Sequence, residues 1–510
     1  MPEYVMQGTP LPGRADLLRR SAHALLWNLA GGAGKALAQL FIQIILARLL
    51  GPAVFGQYAA VLIVLGLGWL MADAGFGSAL IQKQAISDHD VGLALGWVLC
   101  IASLMAGLIF ATAPWLAHQF GDAGLLPLFR VVGLLVIVQG ISNIGTSLLK
   151  RELEMKRLQV MQLLAYLAGF GLCAIPLAIA GAGAWSLVIA FGVQSGIVCI
   201  ASLVLTRHTL RPRLSGDPAM QRFGLKVVMT NIANWVIENL DRFIVGKLWG
   251  VVSLGFYSVA ANLSRAPIGL LVGSVQSVVL SSASRLQDAP GQLARSYLAG
   301  ISALSLIVMP AFALLAIDAA SVMQLIYGSA WSEASPLLAA FAVAMPLHAL
   351  VAVTGPVLWA RAAVERELYS QIVVALVLMA GFFLLRSFPL AYAVWLLPFA
   401  YLLRFLFLFH GLQQVLPIRW RELGIALAGP LLLSLIGVLS CLALQQALTS
   451  MTGWHFLPLG MAGLLMLLLL RGMGRHFLAA DLRQLLLEQS HDARFVSLIC
   501  RALRLRKDGT

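Results

Sequence analysis

Charged residues are scarce in this chain of 510 residues, where Asp, Glu, Lys and Arg make up 11% and hydrophobic residues 60%. Acidic residues are the rarer sign, with 21 against 35 basic residues, and the formal net charge is +14. Soluble globular domains carry about a quarter charged residues, so this composition excludes an ordinary soluble fold. It favours a protein whose surface lies in lipid.

Cysteines are few and catalytic motifs are lacking. The five cysteines are scattered along the chain, which argues against both disulfides and metal clusters, and we expect no metal or cofactor. Residues 31–36 read Gly-Gly-Ala-Gly-Lys-Ala, but Leu29 and Ala36 stand where a phosphate-binding loop needs Gly and Ser or Thr. Neither His-Glu-x-x-His nor Gly-x-Ser-x-Gly occurs. We therefore expect a transporter rather than an enzyme.

Apolar runs recur along nearly the whole chain, each long enough to cross about 30 Å of hydrocarbon. They predict an all-α integral membrane protein with about fourteen transmembrane helices. The predicted helices lie at 22–47, 53–80, 91–113, 125–149, 158–180, 184–206, 222–248, 252–284, 294–318, 336–360, 367–386, 390–412, 422–447 and 452–471.

A repeat links two connectors between these helices. Residues 48–58 read Arg-Leu-Leu-Gly-Pro-Ala-Val-Phe-Gly-Gln-Tyr, and residues 247–257 read Lys-Leu-Trp-Gly-Val-Val-Ser-Leu-Gly-Phe-Tyr. The shared positions are Arg48, Gly51, Gly56 and Tyr58 in the first copy, and Lys247, Gly250, Gly255 and Tyr257 in the second. Each copy follows the first helix of a six-helix set, and such duplication is typical of transporters. We expect two parallel six-helix lobes, related by a pseudo-twofold axis along the membrane normal, plus two extra C-terminal helices.

Basic residues are distributed unevenly between the two predicted sides of the membrane. If the N-terminus is cytoplasmic, 27 of the 35 basic residues fall on the cytoplasmic side, as the positive-inside rule requires. Both termini are then cytoplasmic, and the positive charge faces anionic lipid rather than nucleic acid. The predicted segments are an N-terminus at 1–21, an N-lobe at 22–206, a cytoplasmic linker at 207–221, a C-lobe at 222–412, two helices at 413–471, and a basic amphipathic tail at 472–510.

Polar residues form a stripe on the first helix of each predicted lobe. The members are Asn28, Lys35, Gln39 and Gln43 in the first lobe, and Asn231, Asn234, Glu238, Asp241 and Arg242 in the second. Ionisable groups are costly in hydrocarbon unless they face water or a partner, so both stripes are predicted to line an aqueous cavity between the lobes. The alternatives are a buried Glu238–Arg242 ion pair and interhelical hydrogen bonds from the two asparagines.

Two further ionisable residues lie within predicted helices. Arg265 has no charged residue within four positions, which indicates an anionic ligand or a distant carboxylate partner. Asp73 could be a cation or proton site, although a helix cap or a loop salt bridge is the more ordinary interpretation.

Several motifs together resemble those of a known family. They are Leu-Ala-Arg-Leu-Leu-Gly-Pro at 46–52, Ala-Asp-Ala-Gly at 72–75, Ala-Leu-Ile-Gln-Lys at 79–83, Leu-Leu-Lys-Arg-Glu-Leu at 148–153, Asn-Leu-Asp-Arg at 239–242 and Ser-Arg-Leu-Gln at 284–287. Over about residues 15–415 the chain is similar to the polysaccharide-transporter branch of the multidrug/oligosaccharidyl-lipid/polysaccharide exporter superfamily.

The resemblance implies a substrate and a location. The substrate would be an oligosaccharide on undecaprenyl pyrophosphate, moved from the inner to the outer leaflet of the bacterial inner membrane by alternating access. Lys35, Arg242 or Arg265 would then neutralise the pyrophosphate, amide side chains would bind sugar hydroxyls, and Trp235 could stack on a sugar ring or simply pack. Membrane lipids would be partners, and a polysaccharide polymerase and export machinery could be.

Three alternatives stay open. A cation-coupled multidrug exporter of the same fold would need acidic binding groups, and the predicted helices hold more basic than acidic residues. A lipid II flippase would differ in substrate alone. A membrane polysaccharide polymerase or ligase would carry a large external loop, whereas the predicted outside loops are short.

Overall fold

The computed structural model describes residues 14–73, 75–206, 211–214, 218–286, 289–361, 363–448, 457–479 and 482–484, and these contain helices and no strand. The α-helices are α1 Arg14–Asp73, α2 Phe76–Gln82, α3 Asp88–Phe120, α4 Leu125–Arg151, α5 Met155–Tyr166, α6 Ile175–Ile179, α7 Ala184–Leu205, α8 Pro218–Arg285, α9 Pro290–Ile317, α10 Ala319–Tyr327, α11 Ser335–Ala360, α12 Val364–Leu384, α13 Leu390–Ala393, α14 Leu396–Gln413, α15 Trp420–Leu448 and α16 Leu457–Phe477. A π-helix, Leu167–Ala174, joins α5 to α6, and a 3-10 helix, Ser329–Ala334, precedes α11.

The predicted all-α membrane fold is confirmed. Within the described residues, eleven helical segments are long and apolar enough to cross a membrane. Each of the fourteen predicted apolar runs overlaps a described helix, and α1 and α8 each carry two of them. Large apolar side chains lie exposed on these helices, including Leu104, Leu172 and Val204 at 72%, 79% and 77% exposure. Apolar surface of this kind fits a lipid environment.

The two repeat connectors share one backbone conformation. Gly51 kinks α1 with φ 72° and ψ 178°, and Gly250 kinks α8 with φ 83° and ψ 173°. These values lie in a region open to glycine and strained for other residues, which explains why both copies carry glycine there. Pro52 then begins the second half of α1, where a missing N–H costs little.

The chain divides into two compact units. Unit 1 comprises Met1–Asn239 together with Gly250–Gly255, and unit 2 comprises Leu240–Trp249 together with Phe256–Thr510. The described helices α1 to α7 pack together in unit 1, and α9, α11, α14 and α15 pack together in unit 2. The largest fully buried side chains of unit 2 are aromatic, namely Trp331, Tyr257, Tyr297, Phe341, Phe382 and Phe409.

Within unit 1, the two repeat copies touch through their second glycines. A Cβ on Gly56 would collide with the backbone carbonyl of Val251, and a Cβ on Gly255 would collide with the backbone carbonyl of Pro52. Val251 occupies in the second copy the position that Pro52 occupies in the first. The contact is therefore reciprocal, and glycine at both positions allows the two backbones to approach.

Residues of the sequence motifs connect α2, α3 and α4 where these helices meet in unit 1, through hydrogen bonds and an ion pair. The Arg151 guanidinium, at the end of α4, donates hydrogen bonds to carbonyls at the end of α2, including those of Leu80 and Gln84. Lys83 contacts the Asp90 carboxylate at 2.6 Å. The Asp90 carboxylate also accepts from the Ser87 backbone N–H, while the Ser87 hydroxyl accepts from the Asp90 N–H, which forms a capping box that starts α3.

Candidate functional site

A polar cavity of about 530 Å³ opens inside unit 1, between α1, α4, α5 and α7. Its polar lining consists of two lysines, four amides and three hydroxyls, and no carboxylate lies among its described lining residues. These polar residues are Lys35, Lys150, Gln139, Asn143, Gln162, Gln194, Ser142, Thr146 and Ser195. A volume of this size is in the range of small-molecule sites.

Helical spacing explains why these side chains meet. The α4 contributors, at 139, 142, 143, 146 and 150, follow one another at intervals of three, one, three and four, and so share a face of the helix. The α7 contributors, at 191, 194, 195 and 198, follow the same rule. Both faces turn polar residues inward from otherwise apolar helices, which leaves the opposite faces to lipid.

Lys35, on α1, is the one of the two cavity lysines that the sequence also singled out. Its Nζ donates a hydrogen bond of 3.0 Å to Oε1 of Gln162. Among the described residues no carboxylate pairs with Lys35. One turn of α5 earlier, Gln159 Nε2 donates to Asn28 Oδ1 at 2.8 Å. Two residues of the first predicted stripe, Asn28 and Lys35, therefore contact α5 through the neutral amides of Gln159 and Gln162. No described acid compensates the charge of Lys35.

Neutral polar groups complete the cavity. Gln139 Nε2 donates to Ser195 Oγ at 2.9 Å, which links α4 to α7. Gly66 lines the opposite wall, and the Nε1 atom of Trp235 lies 3.2 Å from the place where a Cβ on Gly66 would stand. This indole N–H is buried and has no hydrogen-bond partner within the described part of the chain. A buried unpaired donor is costly, so it is a candidate contact for a ligand that enters the cavity.

Unit 2 holds a different kind of ionic cluster. Arg265 Nη2 lies 3.2 Å from Asp241 Oδ2, with side-chain exposures of 33% and 7%. The Tyr257 hydroxyl donates to the same carboxylate oxygen at 2.8 Å. Arg242 Nη2 donates to Asn262 Oδ1 at 3.0 Å. Of the two explanations offered for Arg265, the structure shows the distant carboxylate, which lies 24 residues earlier in the chain.

Of the remaining predicted site residues, two lie outside the cavity lining and four have side chains that the structure does not describe. Gln39 is partly buried and Gln43 is exposed, and neither belongs to the cavity lining. The side chains of Asn231, Asn234, Glu238 and Asp73 lie outside the described residues, so their predicted roles, and the proposed Glu238–Arg242 pair, stay predictions.

Connector side chains outside the glycines are partly alike in the two copies. Arg48 and Lys247 are both exposed. Tyr58 packs edge-on against Phe170 and its counterpart Tyr257 packs edge-on against Phe341, but only Tyr257 is also seen to donate a hydrogen bond to Asp241.

Eight polar lining residues were not singled out from the sequence as binding residues: Gln139, Ser142, Asn143, Thr146, Lys150, Gln162, Gln194 and Ser195. The signal was present, because all except Lys150 are polar side chains within apolar helices. The rule that identified the stripe on the first helix would have found them if it had been applied to the fourth, fifth and sixth predicted helices.

The fold defines a multi-pass helical membrane protein with a polar cavity inside its first unit. A family described as "Polysaccharide biosynthesis protein" matches residues 45–336, more than half of the 510 residues, and the chain belongs to this family. The family resemblance of the sequence motifs is thereby confirmed.

Curated relatives agree with this membership. The chain is 24% identical over 331 residues to lipopolysaccharide biosynthesis protein WzxC of Escherichia coli (strain K12), covering 63% of this chain and 66% of WzxC. It is 25% identical over 301 residues to succinoglycan biosynthesis transport protein ExoT of Rhizobium meliloti (strain 1021), covering 59% and 61%. The matched part is slightly under two thirds of each relative's length.

Solved structures share the fold. The lipid II flippase MurJ in an inward closed conformation superposes with a TM-score of 0.70 at 13% identity, over 87% of this chain and 97% of MurJ. An inward-facing transporter of the multidrug resistance MATE family superposes with a TM-score of 0.58 at 15% identity, over 74% and 95%. At these identities the likeness concerns architecture alone.

Proposed function

We propose that this protein is a flippase for lipid-linked oligosaccharides. It moves an undecaprenyl-pyrophosphate-linked repeat unit from the inner to the outer leaflet of the bacterial inner membrane by alternating access, with both chain termini in the cytoplasm. Family membership supports this role, as do the names of the relatives, which refer to polysaccharide biosynthesis and transport.

The observation that carries the proposal is the cavity lysine Lys35, whose charge no described acid compensates. A cation within a membrane span is costly without a partner. Lys35 has a neutral amide partner and lies in a cavity whose described lining carries a second lysine, Lys150, and no acid. A pyrophosphate group supplies the missing negative charge, and charge-assisted hydrogen bonds to it are about twice as strong as neutral ones.

The rest of the lining suits a sugar. Amides and hydroxyls both donate and accept hydrogen bonds, which matches the alternating donors and acceptors of sugar hydroxyls. The indole N–H of Trp235 beside Gly66, which has no hydrogen-bond partner among the described residues, offers a further donor, and its ring could stack on a sugar face.

The cations of unit 2 have a secondary role in the proposal. Arg265 is already held by Asp241, so it can bind phosphate only if the anion replaces that carboxylate. Arg242 likewise has Asn262 as a neutral partner. Both remain candidate phosphate ligands, but Lys35 lines the cavity and has a neutral amide as its described partner.

The cavity chemistry disfavours the other candidate functions. A cation-coupled exporter of cationic drugs would need acidic lining, which the described cavity residues do not provide. A polysaccharide polymerase or ligase would need catalytic groups at an external loop, and no such signature occurs in the sequence.

Replacement of the cavity lysine tests the proposal. We expect Lys35→Ala to lower export of the polymer by about tenfold or more, because removing a charged hydrogen-bond partner costs about 1.5–3 kcal/mol. Lys35→Arg should retain part of the activity, since it keeps the charge and alters the geometry. Lys247→Ala is the matched control, because this basic residue is exposed on a connector.

The measurements are polymer export in cells, normalised to the amount of protein in the membrane, and translocation of a labelled lipid-linked oligosaccharide in proteoliposomes. Wild-type translocation by Lys35→Ala would rule out binding of pyrophosphate by this cation. Translocation of lipid II in preference to the oligosaccharide lipid would reassign the substrate.

A further inference from the structure

A second concavity lies on the other side of two helices that wall the polar cavity. It is a groove of about 640 Å³ along α5 and α7, defined here as the α5–α7 groove. Its walls are apolar, and their members include Val160, Leu164, Ile197, Ala201 and Leu205. Val160 and Leu164 are 40% and 59% exposed, so the groove is open to lipid.

Charge is confined to one end of this groove. Lys156 and Arg157 lie at the first turn of α5, together with Glu154. Arg157 Nε is 3.6 Å from the Glu154 carboxylate, and both side chains are substantially exposed, at 55% and 39%. Lys156 lies over the Trp27 ring, at 5.2 Å from its centroid. An exposed ion pair of this kind is weak, so two cations against one acid leave a net positive rim that suits an anionic head group.

The same two helices serve both the groove and the cavity. On α5, Gln162 faces the cavity while its neighbour Met161 lines the groove. On α7, Val198 faces the cavity while Ile197 and Ala201 line the groove. The chain of a long amphipathic molecule could thus lie in the groove, against the same two helices that line the polar cavity.

We propose that the α5–α7 groove is the docking site where the isoprenoid chain of the substrate first binds, with the phosphate end of that lipid at Lys156 and Arg157 before the head group moves to Lys35. The assignment rests on the proposed function for its choice of lipid. An apolar groove with a basic rim at one end matches a polyprenyl phosphate in both polarity and charge, and an annular phospholipid is the competing occupant.

The test uses the purified full-length protein in nanodiscs and a fluorescent polyprenyl phosphate that carries no sugar. Ala201→Phe fills the groove and should weaken binding by about tenfold, because each methylene kept from burial costs several-fold in affinity. Ile200→Phe is the matched control, since Ile200 is the adjacent residue on α7, is 66% exposed and does not line the groove. Lys156→Glu is a second variant that leaves the packing of the groove unchanged, and it should also weaken binding.

Equal binding by Ala201→Phe, Lys156→Glu and wild type would overturn the assignment. Displacement of the probe by phosphatidylglycerol as readily as by unlabelled polyprenyl phosphate would overturn it as well, in favour of an ordinary phospholipid. Failure of the proposed function gives a separate pattern, in which the groove variants lose lipid binding while the wild-type protein translocates no oligosaccharide lipid. Lys35→Ala should bind the sugar-free probe normally, which separates the groove from the cavity.

Discussion

Two of the membrane-embedded cations that the sequence singled out, Lys35 and Arg265, are held in opposite ways. Lys35, in unit 1, has a neutral amide as its partner and faces an open polar cavity. Arg265, in unit 2, is bound to Asp241, whose carboxylate also accepts from Tyr257. Both arrangements offset the cost of a charge in the membrane, but only the first leaves the charge available to a ligand. Lys35 meets its partner on α5, 127 residues later in the chain, whereas Arg265 meets Asp241 across the kink of α8.

The two arrangements also predict different effects of mutation on stability. Removing one member of a buried ion pair leaves the other charge uncompensated, which is strongly destabilising. Removing a cation that has a neutral partner leaves no such charge. We therefore expect mutations in unit 2 to act mainly on stability and mutations at Lys35 to act mainly on transport.

The largest effect on stability is expected for Asp241→Ala. It leaves Arg265 without its carboxylate and Tyr257 without its acceptor, and should lower the free energy of unfolding by roughly 3–5 kcal/mol, reduced somewhat because Arg265 is partly exposed. The double variant Asp241→Asn with Arg265→Gln should be more stable than Asp241→Ala, since no unpaired charge remains. Thermal unfolding in detergent measures both, and an unchanged midpoint for Asp241→Ala would show that the pair does not hold unit 2 together.

Gln162→Glu should give Lys35 an acidic partner, as Arg265 already has in Asp241. It gives Lys35 a carboxylate partner at the position where Oε1 of Gln162 now accepts its hydrogen bond at 3.0 Å. We expect transport to fall by about tenfold, the equivalent of 1.4 kcal/mol, because the substrate anion must displace the new carboxylate. Thermal stability should be equal or higher. Gln159→Glu, one turn earlier on α5 and bonded to Asn28, is the control, and transport lost equally in both variants would indicate general disruption of α5.

The smallest effect is expected at the repeat tyrosines. Tyr257→Phe removes one hydrogen bond to Asp241 and should lower the free energy of unfolding by about 1–2 kcal/mol, since the bond is made to a charged group. Tyr58→Phe is its counterpart in the first copy, where the observed contact is ring packing on Phe170, and should change stability by about 0.5 kcal/mol or less. Equal midpoints for the two variants would contradict the difference between the units.

Local sequence signals were sufficient for the fold. Long apolar runs predicted helices because a membrane span must satisfy its own backbone hydrogen bonds, and each run overlaps a helix in the described part of the chain. The number of spans was less accessible, because kinks at Gly51 and Gly250 leave α1 and α8 continuous across two runs each.

The site could be predicted only in part. Lys35 was found because a lysine in an apolar run is conspicuous by itself, whereas Gln139 and Gln194 are less so and come together only through tertiary packing. The Asp241 partner of Arg265 was missed because a separation of 24 residues lies outside any local helical spacing rule. Local patterns identify which residues are unusual, and the packing of helices decides which of them meet.

The reciprocal contact of Gly56 and Gly255 has a consequence for how the duplicated sequence can diverge. Each glycine is confined by the backbone of the other copy, at Val251 and Pro52. A larger side chain in either copy would therefore press on the partner copy's main chain, and no side-chain substitution there could make room for it. Substitution at each of these two positions is therefore limited by the main chain of the other connector. Other positions of the repeat can diverge, whereas positions 56 and 255 must both keep a small residue.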